Sequence, residues 1–184
     1  PLLRPLGAGS GNVPSPQPAN GAPAPVRQEP AEKMWVCPLC ETQAAGHPAK
    51  CRGCGVIYQI DALDQIAQNF DAKEATVLEA VQRLDRMERD RPTLDGQLNL
   101  ARAFLNLCRS NDAIPHLRRA AEFDPTNRGL RRALDQLSSR KIVMAVDDSL
   151  TIRRILTSLL ERNGYRVVAA SDGSEALQKL TGII

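Results

Sequence analysis

Two C-x-x-C pairs constrain the fold of this chain more than any other feature of its sequence. Cys37 and Cys40 form the first pair, Cys51 and Cys54 form the second, and ten residues separate the pairs. A C-x-x-C turn directs two sulfur atoms toward one centre, so two facing turns supply the tetrahedral set of thiolates that suits Zn²⁺. Such a site has no open position, which predicts a structural rather than a catalytic metal. Two disulfides and a four-sulfur iron site are the alternatives that the spacing leaves open.

Short apolar stretches flank the two pairs. Trp35 and Val36 precede the first pair and residues 56–58 follow the second, and we predict that both stretches are β-strands. Gly55 allows the tight backbone in which amides approach sulfur. With this arrangement residues 33–60 resemble a zinc ribbon, and the resemblance implies one structural zinc ion bound by the four cysteines.

Two further residues are candidate metal ligands by type alone. His47 lies between the pairs, but four cysteines already complete a tetrahedral set, so we predict a solvated loop histidine. Cys108 follows Leu105 and Leu107 in an apolar helical pattern and has no partner cysteine nearby in sequence. We predict that Cys108 is a small core residue.

The N-terminal stretch, residues 1–32, is dominated by Pro, Gly, Ala, Ser and Asn. Prolines remove hydrogen-bond donors, glycines raise the entropic cost of ordering, and little apolar surface is present to offset either. We predict a disordered arm, and a proline-rich ligand for a partner is the alternative.

Residues 61–139 have the periodicity of helices. Val77, Val81 and Leu84 recur at helical spacing, which predicts one helix over about residues 64–90, and Pro92 ends it. Farther along the chain we predict a pair of helices. Asn111 and Asp112 are candidate N-caps of the later helix of this pair, and Pro115 lies in its first turn.

Residues 94–127 within this segment resemble one tetratricopeptide repeat. The matching positions are Leu100, Ala101, Phe104, Ala113, Leu117, Ala120 and Pro125. Gln97 stands where the family usually has a tryptophan, and a single repeat needs neighbouring helices to stack on. The resemblance implies a groove for a protein or peptide partner, and a plain helical spacer is the alternative.

In the stretch VMAVDDSLTIRRIL, an apolar run ends at two adjacent aspartates. Residues 141–146 have the continuous hydrophobicity of a parallel strand that is buried on both faces. Asp147 and Asp148 follow at the carboxyl end of this strand, where ligands bind in open α/β sheets. Ser149 is a candidate cap of the next helix, and a second strand and a second helix complete a β-α-β-α order. Mg²⁺, which prefers carboxylate oxygens, would neutralise the adjacent charges.

From these motifs, residues 140–184 resemble the first part of a receiver domain of two-component response regulators. The resemblance implies a doubly wound, flavodoxin-like fold in which Asp148 binds Mg²⁺ directly and Asp147 is a second ligand. It also implies phosphoryl transfer from a cognate histidine kinase or phosphotransfer protein to an aspartate after a third strand. That phosphoacceptor lies beyond residue 184, so we expect an incomplete receiver and a fragment of a longer reading frame.

Taken together, the sequence predicts a multidomain α and α/β protein: an arm, a zinc ribbon, a helical segment and the start of a receiver. A net charge of +3 with mixed signs argues against nucleic acid as the main partner. Without an apolar run of membrane-spanning length or a secretory signal, we expect a cytoplasmic protein with no membrane partner. The predicted function is that of a non-enzymatic response regulator in a phosphorelay. A scaffold or adaptor protein with a vestigial receiver is the alternative.

Overall fold

The computed structural model describes residues 34–182, so the predicted arm over residues 1–32 lies outside the described part of the chain. The elements follow one another as β1 (Met34–Val36), β2 (Gln43–Ala45), α1 (Leu63–Ala67), α2 (Glu74–Glu88), α3 (Leu94–Asn106), α4 (Ser110–Phe123), α5 (Arg128–Ser139), β3 (Ile142–Val146), α6 (Leu150–Arg162), β4 (Arg166–Ala170) and α7 (Gly173–Thr181). The described chain is therefore a mixed helix and strand protein with seven helices. Among these residues, no helix combines the length and hydrophobicity that crossing a bilayer requires.

The cysteine-rich part contains an antiparallel hairpin, β1 with β2, in which Trp35 pairs with Ala44. The first predicted strand is thus present, but the second is wrong: residues 56–58 contribute only one isolated bridge, between Ile57 and Lys50. The side chain of Asn106 hydrogen-bonds to both backbone polar groups of Ile57: it accepts from the N–H and donates to the carbonyl. A side chain of α3 therefore replaces the strand partner that Ile57 would otherwise need.

The helix predicted over residues 64–90 is interrupted, because residues 68–73 are not helical and hydrogen-bond to the cysteine-rich part instead. Asn69 Nδ2 donates to the Gly55 carbonyl at 2.8 Å, and the Lys73 N–H donates to the Cys54 carbonyl at 2.9 Å. These contacts between segments outweigh the local helical pattern and separate α1 from α2.

The positions that match a tetratricopeptide repeat and lie on α3 and α4 are buried. The exposed fraction is 0% for Ala101, Ala113, Leu117 and Ala120, and 8% for Phe104. The capping prediction is wrong, however, because the N-cap of α4 is Arg109 and no side chain accepts a capping hydrogen bond there. Since α4 begins at Ser110, Pro115 lies in its second turn. The N–H of Ser110 is instead bound by the carboxylate of Glu161, from α6.

The C-terminal part is a β-α-β-α unit with two parallel strands, in which Ala145 of β3 pairs with Ala169 of β4. Ser149 caps α6 and Asp172 caps α7, each by accepting a backbone N–H, as expected for these residue types. Gly164, between α6 and β4, has φ +82°, which a glycine adopts without strain.

The apolar faces of this unit are only partly covered within residues 34–182. Ile142 and Val146 of β3 are 42% and 47% exposed, so burial of this strand on both faces is not observed. On α6 the exposed fraction reaches 60% for Ile155 and 56% for Leu159. The C-terminal sheet has two strands in the described residues. The exposure of Ile142 and Val146 shows that helices α6 and α7 cover only part of this sheet.

One hydrophobic core joins the cysteine-rich part to helices α1–α5, from Cys37 to Leu137. The β-α-β-α unit lies outside that core and is attached by polar contacts. Arg162 donates to the Ala67 carbonyl at 2.6 Å, and its guanidinium lies 4.1 Å from the centre of the Phe70 ring. Glu161 is 3% exposed, and its carboxylate accepts from the N–H and the hydroxyl of Ser110.

Candidate metal centre and acidic loop

The four predicted cysteine ligands lie together. Their Sγ atoms are all within 4.8 Å of one another, with 3.5 Å between Cys40 and Cys51 and 3.8 Å between Cys37 and Cys54. Tetrahedral zinc with Zn–S bonds of about 2.3 Å requires S···S distances of roughly 3.8 Å. All five cysteines of the chain are free thiols. The cluster therefore has the ligand number, the spacing and the burial of a four-sulfur metal site.

Local backbone geometry holds these sulfurs in place. Cys37 Sγ accepts from the N–H groups of Leu39 at 3.4 Å and Cys40 at 3.3 Å, and Cys51 Sγ accepts from Gly53 N–H at 3.3 Å. Gly55 follows the second pair with φ +75°, and a Cβ there would stand 2.0 Å from the carbonyl oxygen of Asp71. Amide donors that point at sulfur stabilise thiolates, which is the state that binds metal.

The electrostatics of the cluster also favour a cation. The hydrogen bond with Cys54 lowers the pKa of the Cys37 thiol, while that same bond together with burial raises the pKa of the Cys54 thiol. Buried thiols that share a proton in this way cannot all ionise without a positive charge between them. A dication such as Zn²⁺ would supply that charge. A closed four-sulfur set leaves it no open coordination position, so its role would be structural.

Two other residues of metal-ligand type, His47 and Cys108, lie outside the cluster. His47 is exposed, and its ring centre lies 4.8 Å from that of Trp35 and 5.2 Å from that of Tyr58. Cys108 is 5% exposed at the connection between α3 and α4, and burial raises the pKa of its thiol. Neither belongs to the cysteine group that could hold a metal ion.

Asp147 and Asp148 follow β3 and precede α6, at the carboxyl edge of the parallel sheet. Asp147 Oδ1 accepts from the Ser149 N–H at 2.8 Å, which orients one of its oxygens toward the helix. Arg153 Nη1 donates to the backbone carbonyls of Asp147 at 2.7 Å and Asp148 at 3.0 Å. Arg153, which the sequence pattern did not single out, thus places a positive charge beside the acidic pair. The assignment of this pair to Mg²⁺ stays a prediction.

Three residues near the metal centre were not indicated by the sequence pattern. The Tyr58 hydroxyl donates to Cys37 Sγ at 2.7 Å. Arg102 Nε donates to the Tyr58 carbonyl at 3.0 Å, and the Asn106 side chain accepts from the Ile57 N–H. Arg102 and Asn106 lie four positions apart on α3, a helix that is otherwise mostly apolar. Polar side chains at helical spacing on a buried helix are the signal that could have indicated them.

Comparison with known proteins yields short matches only. The chain is 51% identical over 39 residues to the probable transcriptional regulator ycf27 of Cyanophora paradoxa, a stretch that covers 21% of this chain and 16% of that protein. It is also 51% identical over 47 residues to the probable transcriptional regulator ycf27 of Guillardia theta, covering 25% of this chain and 18% of that protein. The chain thus spans less than one fifth of the length of these relatives. No family model and no solved structure matches it.

Proposed function

We propose that this chain is a response regulator in a phosphorelay, with residues 140–184 forming the first part of its receiver domain. The observation that carries the proposal is the acidic pair Asp147-Asp148 at the carboxyl edge of a parallel sheet, between β3 and α6. In open α/β sheets this edge is where ligands bind. The 51% identity to two probable transcriptional regulators, over lengths close to that of this unit, supports a regulatory role.

In this proposal Asp148 is a direct Mg²⁺ ligand and Asp147 a second one. Mg²⁺ keeps several waters and accepts one or two carboxylates, so this pair suits it and leaves positions for phosphate oxygens. Arg153 would offset part of the pair's charge through its contacts with the two carbonyls. The proposal requires a phosphoacceptor aspartate in addition to this pair, and the protein does not act as an enzyme on other substrates.

The other two parts of the chain serve as partner-binding modules in this proposal. The cysteine cluster is a zinc ribbon whose metal is structural, because its four sulfurs complete the coordination. Helices α3 and α4 form one tetratricopeptide-like repeat, which binds a protein or peptide. Since the ribbon covers one side of α3 through Ile57 and Tyr58, the partner would bind to the exposed sides of α4 and α5. The phosphoryl donor is a cytoplasmic histidine kinase or phosphotransfer protein.

Phosphorylation of the full product of the reading frame tests this proposal. With acetyl phosphate and Mg²⁺ the protein should gain one acid-stable, base-labile phosphoryl group, and Asp148→Ala should abolish the gain because the metal site is lost. Asp135→Ala, an exposed residue of α5, is the matched control and should leave phosphorylation unchanged. Failure of the unaltered protein to react with any donor would contradict the proposal.

A scaffold with a vestigial receiver is the second candidate, and one observation favours it. The β-α-β-α unit is locked to the helices by the buried contact of Glu161 with Ser110, which would restrict the motion of α6. An inert full-length protein that still captures a protein partner through its helical segment would favour this second function.

A further inference from the structure

Tyr58 links the sulfur cluster to helix α3. Its side chain is 4% exposed, and its hydroxyl donates to Cys37 Sγ at 2.7 Å. That sulfur also accepts from two backbone N–H groups, those of Leu39 and Cys40. Besides its contact with Cys54, the Cys37 sulfur therefore accepts from three donors, and only the Tyr58 hydroxyl comes from outside the cysteine turns.

Helix α3 fixes the backbone from which Tyr58 projects. Arg102 Nε donates to the Tyr58 carbonyl at 3.0 Å. One residue earlier, the side-chain amide of Asn106 accepts from the Ile57 N–H at 3.0 Å and donates to its carbonyl at 3.1 Å. Asn106 is 2% exposed, and Asn69 Nδ2 donates to its oxygen at 2.9 Å, so the amide cannot turn without losing buried hydrogen bonds.

We propose that Tyr58, held by Asn106 and Arg102, is a positioning residue of the metal centre, so that helix α3 belongs functionally to the ribbon. Its hydroxyl stabilises the Cys37 thiolate and fixes the direction of that sulfur toward the ion. Asn106 and Arg102 act through Tyr58, since they hydrogen-bond to the backbone of residues 57 and 58 and to no sulfur. The inference rests on the proposed metal site and extends it beyond the four cysteines.

The expected effect follows from what such outer contacts do in metal proteins. Partners that hydrogen-bond to a ligand orient it and tune its donor strength, and their loss typically weakens metal binding about 10–100-fold. The substitution Tyr58→Phe removes only the hydroxyl and keeps the ring that packs on Trp35 and His47. We therefore expect zinc affinity to fall by about tenfold, the lower end of that range, with the fold retained.

The experiment measures the zinc affinity of the full chain by competition with a chromophoric chelator, and the absorption of the Co²⁺-substituted protein. A thiolate that loses a hydrogen bond gives up its electrons more easily, so the sulfur-to-cobalt charge-transfer band of Tyr58→Phe should move to longer wavelength. A merely structural role of the tyrosine would not move that band. The matched control is Tyr165→Phe. Tyr165 is the other tyrosine of the chain and lies at the surface of the β-α-β-α unit.

A double-substitution cycle then tests the role of the helix. If Asn106 acts through Tyr58, Asn106→Ala should weaken zinc binding in the unaltered chain and much less in the Tyr58→Phe background. Asn163→Ala, an exposed asparagine at the end of α6, is the control for this substitution. If Asn106→Ala fails to fold, the zinc affinity and the charge-transfer band of Tyr58→Phe still test the role of the Tyr58 hydroxyl at the metal centre.

The outcomes separate the inference from the proposed metal site. Unchanged affinity and an unchanged band in Tyr58→Phe would overturn the inference while leaving the metal site intact, and additive effects in the cycle would overturn the role of Asn106. An unaltered chain that binds no metal would overturn both.

Discussion

Replacing Ala120 by leucine tests the packing of the helical segment. Ala120 lies on α4 and is 0% exposed, as are Leu117 beside it and Ala133 of α5. Three added carbon atoms therefore have no solvent to enter and must displace buried side chains or backbone. Overpacking of this kind costs about 1–3 kcal/mol. For a chain of this length that corresponds to a fall in the melting temperature of about 2–12 °C.

The matched control is Ala121→Leu, at the next position of the same helix, where the side chain is only half-buried. Both substitutions change intrinsic helix propensity by the same small amount, so the difference between them reports packing alone. Calorimetry of the metal-saturated protein should give a lower melting temperature for Ala120→Leu than for Ala121→Leu. Equal melting temperatures would refute the packing of α4 through Ala120.

Two further predictions concern the C-terminal unit. Burial raises the pKa of Glu161, so the stability it contributes is fully present below its unfolded pKa of about 4.3 and is lost as pH rises through the higher folded pKa. Urea unfolding should therefore show that Glu161→Gln gains stability relative to the unaltered chain as pH rises from about 4 to 8. The exposed Glu122→Gln should show little such change. If the stability of Glu161→Gln and of the unaltered chain changed with pH in the same way, the burial of a charged Glu161 would be contradicted. The 184-residue chain itself, incubated with acetyl phosphate and Mg²⁺, should carry no phosphoryl group on Asp147 or Asp148, because both are assigned to the metal. Peptide mass spectrometry that located an acyl phosphate on either residue would refute that assignment.

The sequence predicted the local features well because their causes are local. The sulfurs of Cys37 and Cys40 are brought together by one short turn, and the second pair repeats that turn, so spacing alone indicates the cluster. The buried stripe through Ala101, Ala113 and Leu117 follows from the helical period in the same way. The cap Ser149 also depends only on residues within the next turn.

The contacts that join the parts of the chain were not predictable from such patterns. Asn106 meets Ile57 across 49 positions of sequence, and Glu161 meets Ser110 across 51. Each contact replaces a local arrangement that the sequence favoured, a strand at residues 56–58 and a side-chain cap from Asn111 or Asp112. Periodicity describes which face of an element is buried, but it carries no information about which distant side chain satisfies a backbone group.

The metal content of freshly isolated protein tests the assignment of the sulfur cluster most directly. Protein purified without added metal, under reducing conditions, should contain close to one zinc ion per chain, because four thiolates within 4.8 Å form one closed site. Cys51→Ser should lose the zinc, whereas Cys108→Ser, the control at the fifth cysteine, should keep it. Two disulfides and no metal in the freshly isolated protein would contradict the site, and iron in place of zinc would contradict the choice of metal.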